Sequence, residues 1–216
     1  MKKETKKKFR RAMAFLMGFV LWTAAVMWID VQPIGPGGSE IGLAALNQSF
    51  RSLTDVHMDV YLATDWLSLI PLAVILFFGI LGLIQWIRRK DIRKVDYSIL
   101  VLGGFYAAVM AVYLLFEELA VNFRPVLIEG VLESSYPSST TVLVICVMQS
   151  AKLQLISRTE DHLIRKWMVQ AIQLFTMAMV AARAISGVHW ISDIIGGILL
   201  GIGLVMLYES AISIKE

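Results

Sequence analysis

Cysteine is all but missing from this 216-residue chain, since Cys146 stands alone. No intramolecular disulfide can form, and a lone thiol inside an apolar run reads as packing. Charge is scarce as well, at 17% of residues, against roughly 25% in an ordinary soluble domain. With 57% hydrophobic residues and a mean hydropathy of +0.69, a soluble domain is excluded and an integral membrane protein is indicated. No internal repeat occurs, and no low-complexity tract beyond a basic start. The apolar run after that start lacks a small-x-small cleavage site, is long, and carries Trp22 and Trp28. It therefore reads as an uncleaved anchor rather than a removable signal. Dense histidine and carboxylate clusters at ligand spacing are absent too, so neither metal nor cofactor is implied.

What the chain does have is uncharged runs, at 12–29, 66–87, 97–116, 134–151, 167–182 and 194–208. Each approaches or meets the roughly 17–25 residues that cross hydrocarbon as a helix. The last two are short, so their spans take in neighbouring residues, which draws Arg183 and Asp193 toward the interface. The expected architecture is all-α: a single membrane domain over 1–216 with six transmembrane helices. Seventeen of the 20 Lys and Arg residues fall in the basic tail 1–11, the loops 88–96 and 152–166, and the C-terminal end. The positive-inside rule then makes both termini cytoplasmic. The basic tail suits anionic lipid head groups, although a topology signal alone accounts for it.

On the expected outer side, segment 30–65 opens with Gln-Pro-Ile-Gly-Pro-Gly-Gly, which must be loop. Apolar residues then recur at Ile41, Ala44, Ala45, Phe50, Leu53 and Val56, as in a short amphipathic helix serving as lid, lipid guide or plain cover. Asn47-Gln-Ser49 matches a glycosylation sequon. His57 and His162 read as surface histidines.

The chemistry concentrates in Arg183-Ala-Ile-Ser-Gly-Val-His189-Trp-Ile-Ser-Asp193. A guanidinium, an imidazole and a carboxylate beside hydrocarbon are costly unless they serve a site or pair with one another. If His189 opens a helix, the four-residue step puts Asp193 on the same face, where it can fix the ring's tautomer. Arg183 adds a donor fork suited to phosphate oxygens. The same residues also fit a structural Arg–Asp pair with a capping histidine. Two further features reach this side. Glu117-Glu118-Leu-Ala-Val-Asn122-Phe-Arg124-Pro125 ends the third run, and Tyr136-Pro137-Ser138-Ser139-Thr140-Thr141 begins the fourth. The latter reads as a helix start whose hydroxyls cap and whose free N–H groups cradle an anion. Plain N-capping is the alternative.

An Arg-Pro loop, a Pro-Ser helix start, and an Arg followed six residues later by His and then Asp resemble the type 2 phosphatidic acid phosphatase superfamily of lipid phosphatases. Ser186-Gly187-Val188-His189-Trp190 and Asp193-Ile-Ile-Gly-Gly197 also look like that family. The resemblance covers 117–197 by motif and the remainder by topology only. It implies six spans and His189 as the nucleophile that forms a phosphohistidine, with Asp193 supporting it. It also implies Arg124, Arg183, Ser138 and Ser139 as the phosphate-binding set, with no metal.

Three positions depart from the family pattern. Glu117 stands where the family usually has lysine, Ala182 where it has serine, and Thr140 where a histidine serves as general acid. A threonine hydroxyl cannot donate a proton usefully near neutral pH, so Glu117 and Glu118 are the candidate substitutes. The expected function is an outward-facing lipid phosphatase acting on a polyprenyl diphosphate, with phosphatidic acid or phosphatidylglycerol phosphate behind it. A catalytically silent lipid-phosphate binder or scaffold, and a phosphotransferase, are the competing readings. The expected outer segments carry ten acidic residues against three basic ones, so an anionic substrate must depend on a local arginine clamp and entry from the lipid. The expected partners are the bilayer and a lipid phosphate or diphosphate, with no nucleic acid; short loops and one cysteine suit a bacterial plasma membrane.

Overall fold

A backbone surrounded by hydrocarbon must satisfy its own N–H and C=O groups, so the apolar runs form helices. The computed structural model describes residues 3–214. It holds α1 (Lys3–Trp28), α2 (Ala44–Thr54), α3 (Met58–Leu67), α4 (Leu69–Arg89), α5 (Tyr97–Leu119), α6 (Ser139–Arg158), α7 (His162–Ile185) and α8 (Ile191–Ile212). Among the described residues there is no strand, only isolated bridges. Six spans are long and apolar enough to cross a membrane, with α3 and α4 together forming one, Met58–Arg89. Pro71 lies one turn beyond the break at Ser68. Having no N–H, it leaves the Leu67 carbonyl without its helical donor. The protein is thus all-α, multi-pass and membrane-embedded.

Helices α6 and α8 form the centre, with α1 and α6 both packed along α8. Close approach is possible because α8 is glycine-rich. A Cβ at Gly201 would come within 2.9 Å of Ile145, and one at Gly203 within 2.7 Å of Leu16. Small residues at such crossings let helices gain dispersion contacts that lipid would otherwise make. Cys146 is fully buried on α6 facing this seam, its thiol 3.9 Å from the Gly201 carbonyl. Antiparallel pairing of α1 with α8 is fixed at both ends. Trp22 donates to the Ser192 carbonyl (3.0 Å), while Lys8 pairs with Glu209 (3.1 Å). The basic start is therefore part of α1 itself from Lys3 onward.

Three loops and the short helices α2 and α3 gather at the end of the bundle where α8 begins. Helix α3 starts inside segment 30–65 and turns Thr64 and Asp65 toward Arg183. Helix α2 packs against α8. The sequon at Asn47 does not offer a free amide: its side chain is buried, donating to the Gly42 carbonyl (2.8 Å) and Ser192 Oγ (3.0 Å) and accepting from Ser192 N (3.1 Å). His57 and His162 are exposed.

The fourth helix of the sequence pattern begins later than the uncharged run from 134, because residues 122–135 form a small hairpin. Its bridge joins Phe123 and Ser134. Its two-residue turn is Glu129-Gly130, both at positive φ (49° and 79°), as a turn matched to strand twist requires. Tyr136 then anchors the start of α6. Its ring stacks on Phe19 at 6.2 Å, its hydroxyl meets Thr23 Oγ1 at 2.8 Å, and a Cβ at Gly196 would come within 2.6 Å of it.

Candidate active site

His189 lies in the five-residue connection between α7 and α8, and its conformation depends on Gly187. That residue has φ +69°, and a Cβ on it would lie 2.1 Å from the Asp55 carbonyl. The loop is also tied down by His57 N, which donates to the Ser186 carbonyl at 3.0 Å. Val188 and Trp190 on either side are buried. Trp190 donates from its indole to the Phe123 carbonyl (2.8 Å), and Arg51 covers its ring at 5.5 Å while donating to the Pro125 carbonyl (2.9 Å). Arg51 is thus a strut, and the hairpin it braces delivers Arg124 to His189.

Asp193 sits in the first turn of α8, fully buried. Its Oδ2 accepts from Trp190 N at 3.0 Å, capping the helix. Its Oδ1 accepts from Asn122 Nδ2 at 3.1 Å. Oδ2 also faces His189 Nδ1 at 3.7 Å. On the other side of the ring, Arg124 Nη1 lies 3.3 Å from Nε2. A guanidinium has donors and no acceptor, so Nε2 is the bare nitrogen and Nδ1 carries the proton toward Asp193. That tautomer presents a lone pair beside a cation. The Nδ1–Oδ2 separation exceeds a formed hydrogen bond.

The two expected clamp arginines come together over one ring. Arg183, only 2% exposed in the last turn of α7, lies 4.6 Å above Tyr61, and Arg124 lies 5.8 Å from the same ring. Arg183 donates to Thr64 Oγ1 (2.8 Å) and lies 3.7 Å from Asp65. Arg124 Nε lies 2.8 Å from Glu133 Oε2, out of hydrogen-bond alignment. Arg124 Nε, Arg183 Nε, His189 Nδ1 and Ser135 Oγ are all buried without a hydrogen-bond partner.

A cavity of about 290 Å³ opens beside His189, walled near the site by Ser135, Ser139, Thr140, Glu117 and Asp65. Ser138 is not on that wall, and its hydroxyl does not cap α6. It accepts instead from Thr141 Oγ1 (3.0 Å), while Ser138 N donates to the Asp193 carbonyl (3.1 Å). Ser138 thereby ties α6 to α8 beneath the site. Glu118 is exposed and also off the wall. Tyr61, Asp65, Asn122, Glu133 and Ser135 belong to the site and were not legible in the sequence. Asn122 and Glu133 were close in sequence to Arg124, the one available signal.

A buried imidazole between a carboxylate and a guanidinium thus lies at the mouth of a cavity in a six-span helical membrane protein. The fold is shared with a solved structure, a transmembrane PAP2-type phosphatidylglycerolphosphate phosphatase from Bacillus subtilis. The two align over 95% of this chain and 97% of that one, with a TM-score of 0.59 and 16% sequence identity. No family model and no curated protein matches the sequence.

Burial depresses the pKa of His189 to about 4 from 6.5; Asp193 opposes the shift, and Arg124 and Arg183 add to it. The ring is therefore neutral at pH 7. We expect Asp193→Asn to lower this pKa further, by removing the anion that favours imidazolium, and Arg124→Gln to raise it, by removing a neighbouring cation. NMR titration of labelled histidine in micelles measures both, and an unshifted parent value near 6.5 would contradict the burial.

Proposed function

We propose that this protein is a membrane lipid phosphatase in which His189 Nε2 attacks a lipid phosphate or diphosphate. The observation that carries the reading is the ordering of Asp193, His189 and Arg124, with bare Nε2 aimed at a guanidinium. Attack forms an Nε2–P bond as the bond to the leaving oxygen breaks, and the imidazolium charge is held by Asp193. Water then attacks the phosphohistidine, releasing phosphate and restoring the ring. Arg124 and Arg183 take the equatorial oxygens, and the first-turn amides of α6 add to the cradle. The shared fold supports this reading, and the neighbour's own substrate is a lipid phosphate. The distribution of Lys and Arg supports a site on the outer face, and a plasma membrane is the reading we favour. Labelling of a cysteine at Arg89 but not of one at Ser52, both exposed positions, by an impermeant thiol reagent on intact cells, in a Cys146-free background, would reverse that placement.

A silent binder is the second reading, favoured by Thr140 and Glu117 on the cavity wall. Phosphate release from a panel of lipid phosphates and diphosphates separates the two. His189→Ala is expected to reduce release to background and Asp193→Asn to slow it by roughly 10²–10⁴-fold. A phosphohistidine should be trapped with labelled lipid on the parent and not on His189→Ala. Wild-type release by His189→Ala would refute the nucleophile.

The favoured substrate is a polyprenyl diphosphate, and Thr140 is the reason. A monoester expels an alkoxide whose conjugate acid has a pKa of roughly 15, so the leaving oxygen needs a proton. A diphosphate expels a phosphate of pKa about 6, which departs as an anion. Of the nearby carboxylates, Asp65 and Glu133 face Arg183 and Arg124, Asp193 caps α8, and Glu118 is off the wall, which makes Glu117 the favoured substitute acid. We expect lipid diphosphates to be turned over faster than monoesters, and Thr140→His to raise monoester hydrolysis more than diphosphate hydrolysis. Equal turnover of both classes by the parent and by Glu117→Gln would sink the argument.

A further inference from the structure

The row formed by Asp193, His189 and Arg124 has a fourth member. Asn122 and Arg124 stand two residues apart in the 122–135 hairpin, and they meet the carboxylate–imidazole pair from opposite ends. Arg124 Nη1 lies 3.3 Å from His189 Nε2, while Asn122 Nδ2 donates to Asp193 Oδ1 at 3.1 Å. Asp193 Oδ2 is left to Trp190 N at 3.0 Å and to His189 Nδ1 at 3.7 Å. One hairpin therefore bears on both the carboxylate and the ring, and its base is closed by Ser135 N donating to the Asn122 carbonyl at 2.9 Å.

Asn122 is fully buried and does not line the site cavity, so it acts on a bound molecule only through Asp193. The direction of its amide is decided by its neighbours. Gly42 N, which can only donate, lies 3.3 Å from Asn122 Oδ1, and an ionised carboxylate only accepts, so Nδ2 must face Asp193. Gly42 is a firm anchor, since a Cβ on it would lie 1.6 Å from the Val26 carbonyl of α1. Ser192 Oγ lies beside the contact, 3.4 Å from Asn122 Nδ2 and 3.0 Å from Asn47 Nδ2. Asn47 and Asn122 are the only asparagines in the chain, and both end on Ser192.

We propose that Asn122 is a positioning residue for the Asp193–His189 pair, fixing the rotation of the carboxylate so that Oδ2 alone faces the ring. The proposal rests on the phosphatase reading above and deepens it. The last side-chain torsion of an aspartate is broad, so the carboxylate keeps one orientation only if both oxygens are held. Without Asn122, Oδ1 retains only the Ser192 hydroxyl at 3.4 Å. The carboxylate also becomes a stronger base, because a donor to its ionised form is lost. The charged groups facing His189 are Asp193 from α8, Arg124 from the hairpin and Arg183 from α7. A more basic Asp193 therefore raises the pH at which the ring takes a proton. Attack needs the neutral ring, so the acid limb of turnover moves to higher pH with it.

The test uses Asn122→Leu, similar in size but without a donor, in the purified full chain with farnesyl diphosphate. We expect kcat to fall roughly 10–100-fold, the range found for the outer partners of metal-bound histidines, with KM unchanged. The acid limb of the pH profile and the NMR titration of His189 should both move to higher pH. An unchanged kcat, a raised KM, or a loss of turnover that follows the folded fraction with both pH readouts unmoved, would overturn the proposal. If Asn122→Leu does not fold, the parent protein carrying isotope-labelled asparagine decides, because Asn47 and Asn122 give the only two side-chain amide signals of that type. The Asn122 amide should shift at the midpoint of the His189 titration and the Asn47 amide much less, and His189→Ala should abolish the response. An Asn122 amide that stays still there would overturn the proposal as well. If the parent hydrolyses neither farnesyl diphosphate nor phosphatidic acid, the phosphatase reading fails, and the two NMR titrations alone judge whether Asn122 is coupled to the pair.

Discussion

The buried carboxylate of Asp193 is the constraint on which the rest of the site end depends. An ionised group so far from water costs several kcal/mol unless it is paired and hydrogen-bonded. Here one oxygen closes the first turn of α8 through Trp190 N and the other is held by Asn122. The same carboxylate faces the ring of His189, and its backbone carbonyl takes the amide of Ser138 at the head of α6. One residue thus joins the start of α8, the start of α6 and the 122–135 hairpin. The cap of α8 and the partner facing His189 are the same group, so the structural and the proposed chemical readings of Asp193 do not compete.

The acid-rich character of this end takes on a different meaning in three dimensions. Glu133 and Asp65 are close partners of Arg124 and Arg183, and Tyr61 lies beneath both guanidiniums. Two arginines drawn together would repel, and the carboxylates and the ring's negative face offset that repulsion. Under the proposed function, the phosphoryl group enters a balanced cluster rather than a broad positive surface, with approach from the lipid side through the cavity.

How much of this was legible follows from the range of each signal. Span number and helical class were readable from the uncharged runs, because a chain in hydrocarbon has few backbone solutions. The late start of α6 was not, since apolar residues at 134–137 sit as readily in a hairpin and an anchor as in a helix. His189, Asp193, Arg183 and Arg124 stood out because charge near hydrocarbon is costly. Ser138 was misplaced on local grounds: its spacing fits a capping hydroxyl, whereas its hydrogen bonds are with Thr141 and Asp193.

The sequence by itself determined a six-span helical membrane protein and the residues of its histidine motif, since both rest on local composition and on spacing within a few turns. Only the tertiary structure decided which groups meet them. Tyr61, Asp65, Asn122 and Glu133 lie between 56 and 128 residues from His189, too far for any periodicity to register. The tautomer of His189 depends on Arg124 arriving from another loop. Such properties arise from the packing of distant segments, which a linear pattern does not encode.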